Sequence, residues 1–251
     1  MNHSDPGDAG PPLRHTRRFT FLWNPSDYAE QTWVSIAATQ LDDRATTATQ
    51  KRRILEGWID LLSSGSTSIT HLDLCSRVPQ HLLDAVVGVH ELEFLEVKWG
   101  PYEDLNPLSG LLRLEAVHLG GASRVRSLAP LASLPRLNEL DLANAFRLAD
   151  VAQLGDLTGL RYLTLGTDLG TYRPLHLRDL EWARSLHALV HLQLVNTIID
   201  SDDYSPLLDL PHLQHLGLPL KRKHQGQIRD LAAQSEVFAE VAAYWDVLLE
   251  R

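Results

Sequence analysis

Residues 128–142 read LAPLASLPRLNELDL, with leucines at 128, 131, 134, 137, 140 and 142. The steps are four of three and then one of two. An α-helix advances about 100° per residue, which would set Leu128 and Leu137 on opposite sides. A strand needs steps of two throughout. The spacing therefore predicts two different elements that meet at Leu137. Steps of three fit a 3-10 turn or an extended three-per-turn segment, either of which puts every third side chain on one face. The closing L-x-L fits a short strand with two inward leucines.

The pattern recurs along the chain. Its L-x-x-L-x-L core aligns with ITHLDL (69–74), LEFLEV (92–97), LEAVHL (114–119), LNELDL (137–142), LRYLTL (160–165), LVHLQL (189–194) and LQHLGL (213–218). Successive copies start 23, 22, 23, 23, 29 and 24 residues apart. Upstream steps of three recur at Leu83, Val86, Val89 and Leu92, at Leu105, Leu108, Leu111 and Leu114, at Val151, Leu154, Leu157 and Leu160, and at Tyr204, Leu207, Leu210 and Leu213. Pro107, Pro130 and Pro206 each precede the same leucine, as suits a segment that gives no hydrogen bonds to a sheet ladder. Repeats near one period predict a solenoid in which no copy is stable alone.

The chain thus resembles the leucine-rich-repeat family, in the short bacterial form of about 22 residues also seen in internalins. The resemblance covers residues 69–220. It implies an α/β horseshoe with seven short parallel strands on the concave face, 3-10 or irregular segments on the convex face, and helical caps. It is nearly silent about function, because one fold hosts many roles. The Asn that usually follows the strand is present only at Asn144 and Asn196; Ser76, Trp99, Gly121, Thr167 and Leu220 stand there in the other copies.

Four regions follow. Residues 1–18 read as a disordered leader without the apolar core of a signal peptide. Residues 19–68 read as an N-terminal cap, with an amphipathic helix over 43–63 whose apolar face carries Ile54, Leu55, Trp58, Ile59 and Leu62, and with Gly65 as its stop. Residues 69–220 are the repeats. Residues 221–251 read as a helical C-terminal cap, with Ile228, Leu231, Phe238, Val241, Ala242, Trp245 and Leu249 directed at the last repeat. No run of eighteen apolar residues is present, so no spanning helix is expected. A lone Cys75 rules out an internal disulfide, and a cytoplasmic location is the default expectation.

Charge narrows the function classes. The whole chain carries a formal charge of −9, and residues 69–220 hold 11 Lys+Arg against 19 Asp+Glu. An acidic middle argues against nucleic acid, which needs clustered Lys and Arg. The KRKH run at 221–224 is too short to change that and reads as a solvated turn.

Residues between the inward leucines point outward, and on stacked strands they form columns. The central column reads Asp73, Glu96, His118, Asp141, Thr164, Gln193, Gly217. The one before it reads His71, Phe94, Ala116, Glu139, Tyr162, His191, His215, and the one after it starts with Cys75 and Lys98. Asp73, Glu96, Glu139 and Asp141 predict an acidic docking face for a basic protein, with Phe94 and Tyr162 as aromatic anchors and His118 and His191 on the same surface. His71, Asp73 and Cys75 are a nucleophile set in letters only, expected to point into open solvent with nothing to exclude water. Of these histidines only His191 and His215 are neighbours in one column; a two-His site there lacks an evident third ligand, and the others stand too far apart for a metal site. Two edges add candidates. Trp99 and Tyr102 in KWGPYEDL (98–105) are expected to be too exposed for simple core filling, and Tyr172 and Arg173 lie in the extra residues of GTDLGTYRPLHLRD (166–179). No phosphate loop, H-E-x-x-H or nucleophile elbow is present.

The reading is a non-enzymatic, monomeric protein-interaction module without cofactor, metal, nucleic-acid or membrane partner. By analogy with other leucine-rich-repeat inhibitors, it extends to an inhibitor or immunity-type protein that caps a basic enzyme. Two alternatives stay open. One is recognition of a small ligand or glycan on the concave face. The other is an enzyme site between the N-terminal cap and the first repeats.

Overall fold

The computed structural model describes residues 19–41, 47–148, 151–166, 173–219 and 221–249. The steps of three are a hydrogen-bond pattern. Leu131 N–H donates to Leu128 C=O (2.8 Å), Leu134 to Leu131 (3.1 Å) and Leu137 to Leu134 (3.4 Å). The same i→i−3 chain links Leu105, Leu108, Leu111 and Leu114, with distances of 2.9 to 3.0 Å. Each such bond closes a 3-10 turn of three residues, which returns every third side chain to one face. Leu128, Leu131, Leu134, Leu137, Leu140 and Leu142 are all buried. Pro107, Pro130 and Pro206 sit in the first turn of their segments (Asn106–Gly110, Ala129–Ala132 and Ser205–Asp209). There the missing N–H costs no bond and the fixed φ suits the turn.

The strands run in chain order as β1 (Thr20–Leu22), β2 (Trp33–Ile36), β3 (His71–Arg77), β4 (Phe94–Trp99), β5 (Ala116–Leu119), β6 (Glu139–Ala143), β7 (Tyr162–Gly166), β8 (Leu175–Leu177), β9 (His191–Val195), β10 (Thr197–Ile199) and β11 (His215–Gly217). One parallel sheet has the order β1-β2-β3-β4-β5-β6-β7-β9-β11, and β8 pairs with β10 in a small parallel sheet of their own. The seven strands expected from the repeats are all in the main sheet. Two more, β1 and β2, extend it at the N-terminal end, so the sheet has nine strands and not seven. Residues 20–36 lack the leucine signature, but Val34 and Ile36 take the inward places of Leu72 and Leu74 by register, and both are fully buried.

Helices cover both ends. The helix α1 (Ala48–Ser63) begins at a capping box between Thr47 and Gln50. Trp58 and Leu62 are buried on its inner face, and Trp58 Nε1 donates to the Trp23 carbonyl at 2.9 Å. Ile54, Leu55 and Ile59 pack against the same core half-buried. The positive φ of Gly65, 71°, marks the stop. Residues 43–46, which the sequence reading placed in this helix, lie outside the described residues. The convex side holds 3-10 segments and two short α-turns, α2 (Gln80–Ala85) and α3 (Ala129–Ala132). The C-terminal cap is a helix pair, α4 (Gln225–Ala232) and α5 (Glu236–Leu249), with Ile228, Leu231, Phe238, Val241 and Trp245 buried and Ala242 partly so.

The KRKH run differs from its expected role as a solvated turn. His224 is buried, where its Nδ1 meets the Tyr204 hydroxyl (3.0 Å) and its Nε2 meets Asp202 Oδ1 (2.8 Å). Lys223 pairs with the same carboxylate. These bonds fasten the C-terminal cap to the last repeat.

If the three-step pattern carries the fold, position in it decides cost. Leu140→Ala is expected to lose about 2–5 kcal/mol in chemical unfolding. Leu112→Ala, at an exposed leucine outside the pattern, should change stability by no more than about 0.5 kcal/mol.

Candidate functional site: the concave face

Strand register sets the outward columns. Ser35, Asp73, Glu96, His118, Asp141, Thr164, Gln193 and Gly217 stand side by side from β2 to β11. Trp33, His71, Phe94, Ala116, Glu139, Tyr162, His191 and His215 form the column before. The columns agree with the sequence alignment, and β2 lengthens each by one. Burial, however, divides the face into three parts.

The N-terminal part is closed. The rings of Trp33 and His71 stack with centroids 3.6 Å apart and planes 12° from parallel. Phe94 follows at 5.8 Å from His71, and Phe19 leans over both Trp33 (5.4 Å) and Phe94 (6.2 Å). Both His71 and Phe94 are buried as a result. Phe94 is therefore not the exposed anchor expected from the sequence, because Phe19, just before β1, covers it and His71, stacked under Trp33 of β2, flanks it. The expectation of open solvent around His71, Asp73 and Cys75 fails for the same reason. Asp73 accepts a hydrogen bond from Ser35 Oγ at 2.6 Å, and desolvation raises its pKa despite that bond. Burial also pushes the Cys75 thiol up, away from the thiolate a nucleophile needs.

The middle part carries the charge. Glu96 is exposed, while His118 and Asp141 are half-buried on the next two strands. Glu139 was expected to stand out as a docking carboxylate; the structure buries it instead, with its side chain only 4% exposed. Its register neighbour on β5 is Ala116, whose methyl leaves room for the carboxylate to lie along the sheet. There Glu139 Oε1 meets His118 Nε2 at 2.7 Å. Glu139 Oε2 is buried without a hydrogen-bond partner in the structure. Burial pulls the His118 pKa down, but the hydrogen bond to Glu139 and the charges of Glu139, Asp141 and Glu96 together outweigh it, so the net shift is upward.

The C-terminal part is aromatic and without carboxylates in its two columns. Tyr162, His191 and His215 line up half-buried, with ring centroids 6.4 and 5.7 Å apart. Arg161 reaches over the Tyr162 ring at 5.8 Å.

The two edge candidates separate. Trp99 is 41% exposed, with the Arg77 guanidinium 5.9 Å from its ring. Tyr102 is fully buried, which corrects its assignment as a contact residue, and its hydroxyl pKa is driven well above the ordinary value by desolvation. Arg173 is exposed and lies over the Phe146 ring at 4.6 Å. Tyr172 lies outside the described residues. The two repeat asparagines both adopt positive φ, 62° at Asn144 and 46° at Asn196, a conformation that Asn tolerates well. Asn144 Nδ2 also donates to the Gly120 carbonyl of the preceding repeat.

Sequence reasoning missed Phe19, Trp33 and Ser35 as residues of this face. The alternation in TWVSIAA held the signal: Val34 and Ile36 turn inward, so Trp33 and Ser35 turn outward. Among the described residues, no three His, Cys, Asp or Glu side chains are grouped to hold a metal ion.

Parallel strands one repeat apart, with 3-10 turns behind them and leucines between, decide the architecture. The fold is a leucine-rich-repeat solenoid. No family model and no curated protein matches the chain. Among solved structures, it is similar to internalin C2 from Listeria monocytogenes, 23% identical with a TM-score of 0.48, over 64% of this chain and 65% of that one. It is also similar to a leucine-rich-repeat protein of Leptospira interrogans, 16% identical with a TM-score of 0.41, over 75% of this chain and 56% of that one. The chain thus spans less than two thirds of either protein. Both likenesses concern the fold alone.

The His118–Glu139 pair makes a pH prediction. A histidine whose pKa is raised on folding adds stability that is full below the unfolded value of about 6.5 and is lost as pH rises through the folded value. NMR titration of His118 should give a midpoint above that of an unfolded histidine, and Glu139→Gln should lower it. A midpoint that Glu139→Gln leaves in place would contradict the assignment.

Proposed function

We propose that this leucine-rich-repeat protein is a non-enzymatic interaction module that docks a basic protein partner on the middle of its concave face. The observation that carries this reading is the register of Asp73, Glu96, His118 and Asp141 on four adjacent strands. It sets three carboxylates in one row at a spacing of about 4.8 Å per strand, and Glu139 sits beside the row. Like charges on adjacent strands are mildly destabilising. Asp73 and Glu96 form such a pair, and an arriving cation relieves their repulsion.

Lys98 is the one cation in these columns among the described residues, and it stands at one margin. The face attracts Lys and Arg side chains and disfavours phosphate. The contact residues of this reading are Glu96, His118 and Asp141 at the centre, Asp73 and Glu139 beside them, Tyr162 and His191 toward the C-terminal end, and Trp99 with Arg173 at the edge. An inhibitor or immunity-type role, in which the face caps a basic enzyme, is the sharper form. The Cys75 thiol held in its protonated form supports a binding role over nucleophilic chemistry at the first repeats. No helix among the described residues is long and apolar enough to cross a membrane.

The test is capture from native cell extract. Glu96→Lys with Asp141→Lys should abolish retention of the partner, and about 0.5 M salt should release it from the unaltered protein. Retention that survives both, with the variant still folded by circular dichroism, would show that the partner binds elsewhere.

A further inference from the structure

His118 is the only cationic-capable group in the middle of an otherwise acidic row among the described residues. Glu96 on β4 and Asp141 on β6 flank it in register, one strand away on either side. Glu139 reaches it diagonally at 2.7 Å. Beyond these, Asp73 lies one strand past Glu96, Lys98 follows Glu96 on β4, and Tyr162 on β7 neighbours Glu139. Phe94 meets the imidazole edge-on at 4.9 Å and closes that side without charge. The imidazole thus lies among three carboxylates, and the ring is the one proton-exchanging cation that can balance them from within.

A second observation concerns the burial of one of these carboxylates and not its charge. Glu139 is almost wholly buried, and its Oε2 has no hydrogen-bond donor. A buried carboxylate oxygen left without a donor is costly and is satisfied when a donor arrives. The charge-assisted N–H of a Lys or Arg side chain is the strongest donor a protein partner offers.

We propose that a basic side chain of the partner and the proton on His118 compete for the same three carboxylates, so that docking expels the proton. The proposal rests on the reading of the concave face as the site for a basic partner, and it adds how that site is regulated. With His118 protonated, Glu96, Glu139 and Asp141 leave the cluster two charges negative; without the proton it is three. The incoming cation meets repulsion from the imidazolium in the first state and none in the second. The proton leaves to solvent, and no bond other than N–H is broken. Coupling between proton and partner is reciprocal: the partner lowers the proton affinity of His118 by the factor by which the proton lowers the affinity for the partner. Capture therefore strengthens as pH rises through the titration of His118 and weakens under mild acid.

A hexa-arginine peptide is the probe, used with the full chain. Saturation should lower the His118 midpoint by about one pH unit in NMR titration, and peptide affinity should rise about tenfold between pH 5 and pH 8. His118→Gln should bind with an affinity that is nearly flat over that range. If the peptide shifts the amides of Glu96 and Asp141 while the His118 midpoint stays fixed, the coupling is wrong and basic docking stands. If the peptide perturbs no residue of the face at any pH, both readings fall. The titration of the unaltered protein decides the matter even where His118→Gln does not fold.

Discussion

The structure depends on the matching of two periods within one repeat. A 3-10 turn returns every third side chain to the same side, and a strand returns every second. Joining the two at a shared leucine directs both sets into one interior. Leu137 is that joint in the fourth repeat: it closes the last i→i−3 bond and precedes the strand that carries Leu140 and Leu142. No repeat can bury these leucines alone, so each needs the next. The parallel ladder follows, because only neighbours in register bring leucine layer onto leucine layer.

That constraint also frees the outward residues. The interior decides which positions point in, and the remaining strand positions are left to form columns in which adjacent side chains stand one strand spacing apart. Carboxylates placed there act as a group. So do aromatic rings, as the stack from Trp33 through His71 to Phe94 shows. The stack closes one end of the face. What this leaves open is the middle, where charge is concentrated, and the half-buried Tyr162, His191 and His215 toward the C-terminal end.

The repeats, the inward leucines and the membership of each column were legible in the sequence, because they follow from spacing alone. Burial within a column was not. Phe94 and Glu139 have the same outward register as Tyr162, yet both are buried for reasons their own repeats do not contain. Phe94 is covered by Phe19, which immediately precedes β1, and flanked by His71, on which Trp33 of β2 stacks; neither β1 nor β2 carries the leucine signature. Glu139 sinks because the residue beside it is Ala116 and the residue diagonal to it is His118. The loop around Tyr102 contains a glycine, a proline and two acids, which suggest exposure, and Glu103 and Asp104 are indeed exposed while the tyrosine between them and Gly100 turns inward. His224 lay hidden in a basic run whose fourth member is a buried bridge to Asp202 and Tyr204.

In the reading proposed above, the acidic middle of the concave face is the partner site. Carboxyl footprinting of the protein, alone and with its captured partner, tests it most directly. Glu96 and Asp141 should lose reactivity in the complex, while Glu103 and Asp104, exposed outside the main sheet, keep theirs. Unchanged labelling at Glu96 and Asp141, with protection at Glu103 and Asp104, would contradict it.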